Sequence, residues 1–255
     1  MTPRATCVLA PNPGPMTLDG TNTWVLVEPG STRAVVVDPG PDDPEHLGAV
    51  LAAVDALGAQ VYLTLLTHGH PDHAEGARTF AAMTGRPVRA LDPAHRLGDE
   101  GLGEGDVVAV DGLEVRVLAT PGHTDDCLTF VLPADAALLT GDTVLGRGTT
   151  VVAHPEGRLS DYLASLERLR SFSRESAAER VLPGHGPALR DPAGLLAAYL
   201  EHREQRLQQV RAAVAAGAET APEVVAVVYA DVPRALWPAA ELSVRAQLDY
   251  LRDRG

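Results

Sequence analysis

For roughly its first 190 residues the chain alternates short apolar runs with turn-forming residues, and it then changes to longer mixed stretches. Thr23-Trp24-Val25-Leu26-Val27 and Ala34-Val35-Val36-Val37 flank Glu28-Pro29-Gly30-Ser31, the pattern of a β-hairpin. Residues 44–58 carry apolar side chains at helical spacing and stop at Gly58. Val61–Leu66 is almost continuously apolar and predicts a buried strand, followed by a helix from Asp72 to Met83 closed by Gly85. Four short strands are expected at 107–110, 114–118, 128–132 and 137–139, with Asp111-Gly112 as a hairpin turn. A helix over 159–171 and a strand over 180–182 complete this part. Beyond Arg190 the periodicity predicts helices at 192–216, 221–230 and 238–253, the second opened by a capping box, Thr220-Ala221-Pro222-Glu223. The expected organisation is an α/β domain over 1–190 and a small helical domain over 191–255.

Composition narrows the class. Of 255 residues 45% are apolar, enough for a sizeable core, but only 4% are aromatic, so that core must rest on Ala, Val and Leu. The formal charge is −13, and all 21 basic residues are Arg. Such a balance disfavours broad non-specific contact with nucleic acid, while leaving room for a local positive site made by metal ions. Cys7 and Cys127 are too few for a disulfide framework. No apolar signal core follows Met1 and no segment approaches a transmembrane length, so a cytoplasmic protein without a membrane partner is expected.

The chemistry concentrates in Thr67-His68-Gly69-His70-Pro71-Asp72-His73, directly after the buried strand. Three imidazoles and a carboxylate within six residues are donors that suit zinc and its neighbours. His123 in Pro121-Gly122-His123, Asp142 in Gly141-Asp142 and His185 in Pro183-Gly184-His185-Gly186 follow one rule: a strand ends, a Gly frees the backbone, and one ligand-type side chain follows. Taken alone, each of these reads as a solvent-facing or turn residue. Beside the first cluster they read together as a metal constellation, with Asp38 in Val37-Asp38-Pro39-Gly40 as a further acid.

The order HxHxDH, PGH, GD and PGHG resembles the metallo-β-lactamase superfamily over about residues 20–190. The resemblance implies an αββα sandwich with a dinuclear site along one edge of its sheets. By position, His68, His70 and His123 match the ligands of one ion, Asp72, His73 and His185 those of the other, and Asp142 the bridge between them. Asp38 matches a structural acid that orients the ligand loop. Two Zn²⁺ ions are implied, with Mn²⁺ or Fe²⁺ as alternatives, and hydrolysis by a metal-bridging hydroxide follows. Asp72 is then a ligand, a proton acceptor, or both. Thr21-Asn22-Thr23-Trp24, Pro121–Asp126, Gly146–Thr150 and His202–Arg206 are similar to the lactamase-beta-two-like branch, which carries a C-terminal winged-helix-like domain. That branch includes single-stranded RNA endonucleases, and its relatives include thioesterases acting on acyl carriers or of glyoxalase II type.

Asn22, Arg147, Thr149, Thr150 and His154 are the candidates for substrate contact. His202, Arg203 and Arg206, interleaved with Glu201 and Glu204, read as a solvated helical face. Cys127 reads as buried packing, and His46 and His95 receive no role. The expected partner is a small ester or thioester, or single-stranded RNA, with a homodimer left open. A di-iron redox protein is set aside because the second ligand is His70 and the tail is too short for a flavin domain. A non-catalytic nucleic-acid-binding module is disfavoured because the tail from Asp191 holds 7 Arg against 9 acids.

Overall fold

The computed structural model describes residues 2–254. Two sheets form the centre. The first contains β1 (Ala5–Leu9), β2 (Asn22–Val27), β3 (Arg33–Val37), β4 (Gln60–Leu65) and β5 (Val88–Arg89), in that spatial order. The second contains β6 (Val107–Val110), β7 (Leu113–Ala119), β8 (Leu128–Leu132), β9 (Ala137–Gly141), β10 (Arg180–Pro183) and β11 (Leu189–Arg190), also arranged in sequence order. The hairpin of β2 and β3 forms as expected. The strands β1, β5 and β11 carry no run long enough to be read from the sequence and exist through pairing with a neighbour.

Side-chain alternation builds the layers. Trp24, Leu26, Val35, Val37, Leu63 and Leu65 face Val115, Val117, Leu128, Phe130 and Leu139 of the other sheet in a shared core. Val25, Val27, Ala34 and Val36 point the opposite way, against the helix α1 (Pro44–Ala56). Val61 faces the helices while Leu63 faces the other sheet, although both are odd positions of one strand. A bulge explains this: Ala34 pairs with Val61 and Val35 with Leu63, so Tyr62 is skipped and the face inverts. The helix expected from Asp72 to Met83 is two, α2 (Pro71–Ala74) and α3 (Ala77–Thr84), because the Gly76 amide donates to the Gly40 carbonyl at 3.0 Å instead of continuing the helical ladder; the approach is close enough that a Cβ at Gly76 would lie 2.7 Å from the Pro41 carbonyl oxygen.

On the outer face of the second sheet lie α4 (Leu159–Glu175) and α5 (Pro192–Ala215), giving the αββα order. The tail continues with α6 (Ala221–Val228) and α7 (Trp237–Arg252). The expected division at residue 190 cuts through packed structure. Leu196, Tyr199 and Leu207 of α5 share a core with Leu166 and Leu169 of α4, whereas Val210 and Ala213 join Val224, Val225 and Val244 in a separate tail core. One long helix therefore serves both units.

Candidate metal centre

The strands β3, β4, β7, β9 and β10 all end toward one edge of the sandwich. β3 and β4 are parallel, as are β9 and β10, and β7 runs with β9 because both are antiparallel to β8. The next residues in the chain are Asp38, the 67–73 loop, the His123 turn, Asp142 and the His185 turn. Topology thus brings together side chains from five separate loops.

His68 Nε2 and His123 Nε2 lie 3.1 and 3.0 Å from His70 Nδ1. His73 Nε2 and His185 Nε2 are 3.2 Å apart, and each is within 3.4 Å of Asp72 Oδ2 and of one Asp142 oxygen. Three groups with mutually converging donor atoms result: His68, His70 and His123; Asp72, His73 and His185; and His68, His73 and Asp142.

The outer ring nitrogens decide what the inner ones present. His123 Nδ1 donates to the Val151 carbonyl at 2.8 Å and His185 Nδ1 to the Gly20 carbonyl at 3.1 Å, since a carbonyl can only accept. His73 Nδ1 donates to Asp38 Oδ2 at 2.9 Å. Thr67 gives its hydroxyl proton to Asp38 Oδ2 at 2.6 Å and so accepts from His68 Nδ1 at 3.0 Å. In the neutral rings the converging nitrogens therefore carry lone pairs, and those lone pairs face one another and carboxylate oxygens. Such an arrangement requires cations, either protons or metal ions. Asp142 Oδ1 is buried with no hydrogen-bond partner, which is what a carboxylate placed for a cation would show.

Without metal, the electrostatics follow the same geometry. Burial holds His68 well below the ordinary imidazole range and lowers His123 as well. Burial also works against a charged His73, but the Asp142 and Asp38 carboxylates hold it well above that range. For His185 burial is overcome by hydrogen bonds to Asp142 and Asp72, which push it up to about 9. Burial would raise Asp72, yet the hydrogen bond from His185 and the charge of His73 bring it to about 2. Asp142, likewise buried, is held well below the usual carboxylate range by His73 and His185.

The seven candidate ligands and Asp38 all lie at this edge. The candidates for substrate contact scatter. Asn22 is buried, and its amide donates to the Pro183 and Gly186 carbonyls at 3.0 and 2.8 Å, so its donors are spent on the His185 turn. Thr150 is likewise buried, with its hydroxyl donating to the Asp142 carbonyl at 2.6 Å. Arg147 is exposed and paired with Asp19, and Thr149 is partly exposed on the same loop. His154 is partly exposed and 3.3 Å from Asp249 of α7. The charged face expected around Arg203 is a correction: Arg203 is buried, with its guanidinium 5.0 Å from the Tyr162 ring. His95, given no role, presses against Gly69, where a Cβ would come 2.3 Å from its Nε2, and lines a cavity beside His70. His46 is buried under the Asp38 turn, 2.9 Å from the Thr23 hydroxyl. Neither histidine stands in a ligand-spaced motif, so only the fold reveals its position.

A four-layer α/β sandwich with histidines and aspartates gathered at one edge is the architecture of the metallo-beta-lactamase superfamily, and the chain belongs to it, matching that family over residues 16–185. Residues 220–255 match the beta-lactamase associated winged helix domain. Within the superfamily, the chain is 33% identical over 255 residues to "Beta-lactamase-like protein 2 homolog" of Caenorhabditis elegans, covering 96% of this chain and 83% of that protein. It is 31% identical over 272 residues to "Atrochrysone carboxyl ACP thioesterase" of Aspergillus fumigatus, covering 99% and 80%. A beta-lactamase domain protein from Burkholderia ambifaria shares the fold with a TM-score of 0.84 at 24% identity, covering 100% of this chain and 87% of that one.

Proposed function

We propose that the protein is a dinuclear zinc hydrolase whose substrates are acyl thioesters. The observation that carries the choice of substrate is the charge around the centre. A cavity of about 280 Å³ opens beside His70 and is lined by Asp92, Asp125, Asp126, Glu156 and His95, with no arginine among its described lining residues. Glu156 Oε2 lies 3.5 Å from His70 Nε2. Arg96, next to His95 in the chain, Arg158, two residues from Glu156, and Arg147, five from Asp142, are spent on the Ala90 carbonyl, Asp161 and Asp19. Four carboxylates at the approach repel a polyanion such as RNA, which needs a basic groove and stacking surfaces. An uncharged acyl thioester meets no such barrier, and similarity to a thioesterase over 99% of the chain supports the same choice.

In this reading His68, His70 and His123 hold one ion, Asp72, His73 and His185 the second, and Asp142 serves both. Zinc suits imidazole and carboxylate donors, and Mn²⁺ or Fe²⁺ share part of that preference. When bound, such ions supply Lewis acidity toward a carbonyl oxygen and a water that ionises near neutral pH. The protein supplies the rest. Asp72 is the most exposed carboxylate of the cluster, at 27% of its side chain, and ionised at neutral pH; with Oδ2 toward His73 and His185, its other oxygen can take a proton from the attacking water and return it to the departing sulfur. Asp38 and Thr67 hold His73 and His68 in their tautomers. Neither cysteine is a nucleophile: burial pushes the Cys127 thiol to about 12 and the Cys7 thiol to about 11.

Zinc-loaded protein assayed against neutral acyl thioesters, carboxylated thioesters and a short single-stranded RNA tests the reading. Turnover of the neutral thioester, abolished by a chelator and restored by zinc, is expected. Cleavage of the RNA without thioester turnover contradicts it.

A further inference from the structure

The stretch from Asp142 to Val151 links two candidate ligands. Asp142 begins it, and the Val151 carbonyl at its far end accepts the Nδ1 hydrogen that sets the tautomer of His123. This stretch includes no named helix or strand of its own after β9 ends at Gly141, so many of its backbone groups find partners in side chains. Thr150 donates its hydroxyl to the Asp142 carbonyl at 2.6 Å. Tyr162 of α4 donates to the Thr143 carbonyl at 2.8 Å. Thr140 of β9 donates to the Val144 carbonyl at 2.8 Å, and the Gly146 amide donates to the His185 carbonyl at 2.8 Å. The helix α5 adds two side chains: Tyr199 accepts from the Leu145 amide at 2.9 Å and donates to the Gly148 carbonyl at 3.1 Å, and Arg203 Nη2 donates to the Thr150 carbonyl.

Arg203 is the unusual member. It is only 7% exposed, its Nε has no partner, and among the described residues no carboxylate lies within ion-pair distance of it. The Tyr162 ring lies 5.0 Å from the guanidinium carbon. A buried cation compensated by one carbonyl and one π-face costs more than an apolar residue of similar volume. For stability alone, methionine or leucine would serve at this helix position. What Arg203 adds is a charged, directional donor to the carbonyl of Thr150, between the hydroxyl contact to Asp142 and the carbonyl that orients His123.

We propose that Arg203 is a positioning residue of the metal centre: from the helix that leads into the tail domain, it fixes the 142–151 segment and thereby aims Asp142 and His123 together. The helix that leads into the tail is thus joined to the chemistry through the Arg203 guanidinium and the Tyr199 hydroxyl as well as through packing. The inference rests on the metal-centre reading above but not on the thioester assignment, because its test reads metal affinity.

The experiment is chelator competition for Zn²⁺ on the full chain, comparing Arg203→Met, Arg203→Lys, Thr150→Val and the Arg203→Met/Thr150→Val pair. Arg203→Met keeps the apolar stem and removes the donor; zinc affinity is expected to fall about 10- to 100-fold, the usual effect of losing a group that orients a ligand. Arg203→Lys keeps a cation within reach of the carbonyl and is expected to recover most of that loss. Thr150→Val removes the hydroxyl and is expected to weaken zinc in the same direction, with the double variant less than multiplicative. If Arg203→Met does not fold, Arg203→Lys and Thr150→Val still decide, because both leave the helix packing nearly unchanged. Wild-type zinc affinity in Arg203→Met, equal losses for Met and Lys, or unchanged zinc affinity in Thr150→Val overturns the proposal. If wild-type protein binds no zinc, the metal-centre reading itself fails.

Discussion

Asp38 accepts hydrogen bonds from the Thr67 amide at 2.7 Å, the Thr67 hydroxyl at 2.6 Å and His73 Nδ1 at 2.9 Å. Three donors converge on one carboxylate, and its backbone takes the left-handed conformation at φ 52° to meet them. Asp38→Asn would turn an NH₂ toward one of these donors. Zinc affinity measured by chelator competition is expected to drop about 10- to 100-fold, with the far-ultraviolet circular dichroism unchanged. Protons report the same centre. His73 is held well above and His185 at about 9, so in the metal-free protein at pH 7.5 both are charged, and ligation must discharge them. Titration calorimetry in buffers of different ionisation enthalpy is expected to show about two protons released per chain near pH 7.5, falling toward one as the pH rises through about 9, where free His185 loses its proton. The thiols at about 11 and about 12 are expected to resist a disulfide reagent at pH 8 in the native protein and to react fully in denaturant. At this scale the sequence is readable where chemistry needs a residue type, as in His68-Gly69-His70-Pro71-Asp72-His73. It is silent where a side chain serves a distant backbone: nothing around Asn22 tells that its amide meets carbonyls 161 and 164 residues away.

Strand ends are where the fold makes its close approaches. Gly122 sits at φ 134°, and a Cβ there would meet the Tyr162 amide nitrogen of α4 at 2.2 Å. Both the backbone conformation and the helix contact exclude a side chain, so Gly122→Ala is expected to cost on the order of 3 kcal/mol or more in urea denaturation. Gly184 differs in kind, because its added Cβ would lie 2.6 Å from Asp142 Oδ1 and 2.7 Å from His73 Cε1. Gly–ligand punctuation in the sequence therefore reflects packing against helices and ligands as much as turn freedom. Long periodic elements such as α1, β4 and α4 were legible because their apolar spacing repeats. The two-residue strands β5 and β11 were not, since pairing alone creates them. The Tyr62 bulge also escapes periodicity, because it changes which face a residue occupies without changing residue type.

Across the whole molecule, α5 makes the tail inseparable from the sandwich. A chain ending at Arg190 would bare Leu169, Tyr162 and Val181, which now pack against Leu196, Tyr199 and Leu207. Expression of residues 1–190 is expected to give aggregated protein by size-exclusion chromatography, whereas the full chain stays dispersed. A charge of −13 and an acidic approach belong to this scale too, and in the proposed function they are what separates substrates by charge. None of the described helices is long and apolar enough to cross a membrane. The most direct measurement of the central claim is stepwise zinc titration of metal-free protein, followed by hydrolysis of a neutral acyl thioester at each step, alongside Asp142→Ala. Activity rising to a plateau at about two zinc ions per chain, and absent throughout in the variant, is the predicted result. Hydrolysis that is undiminished without metal, or unchanged in Asp142→Ala, would contradict it.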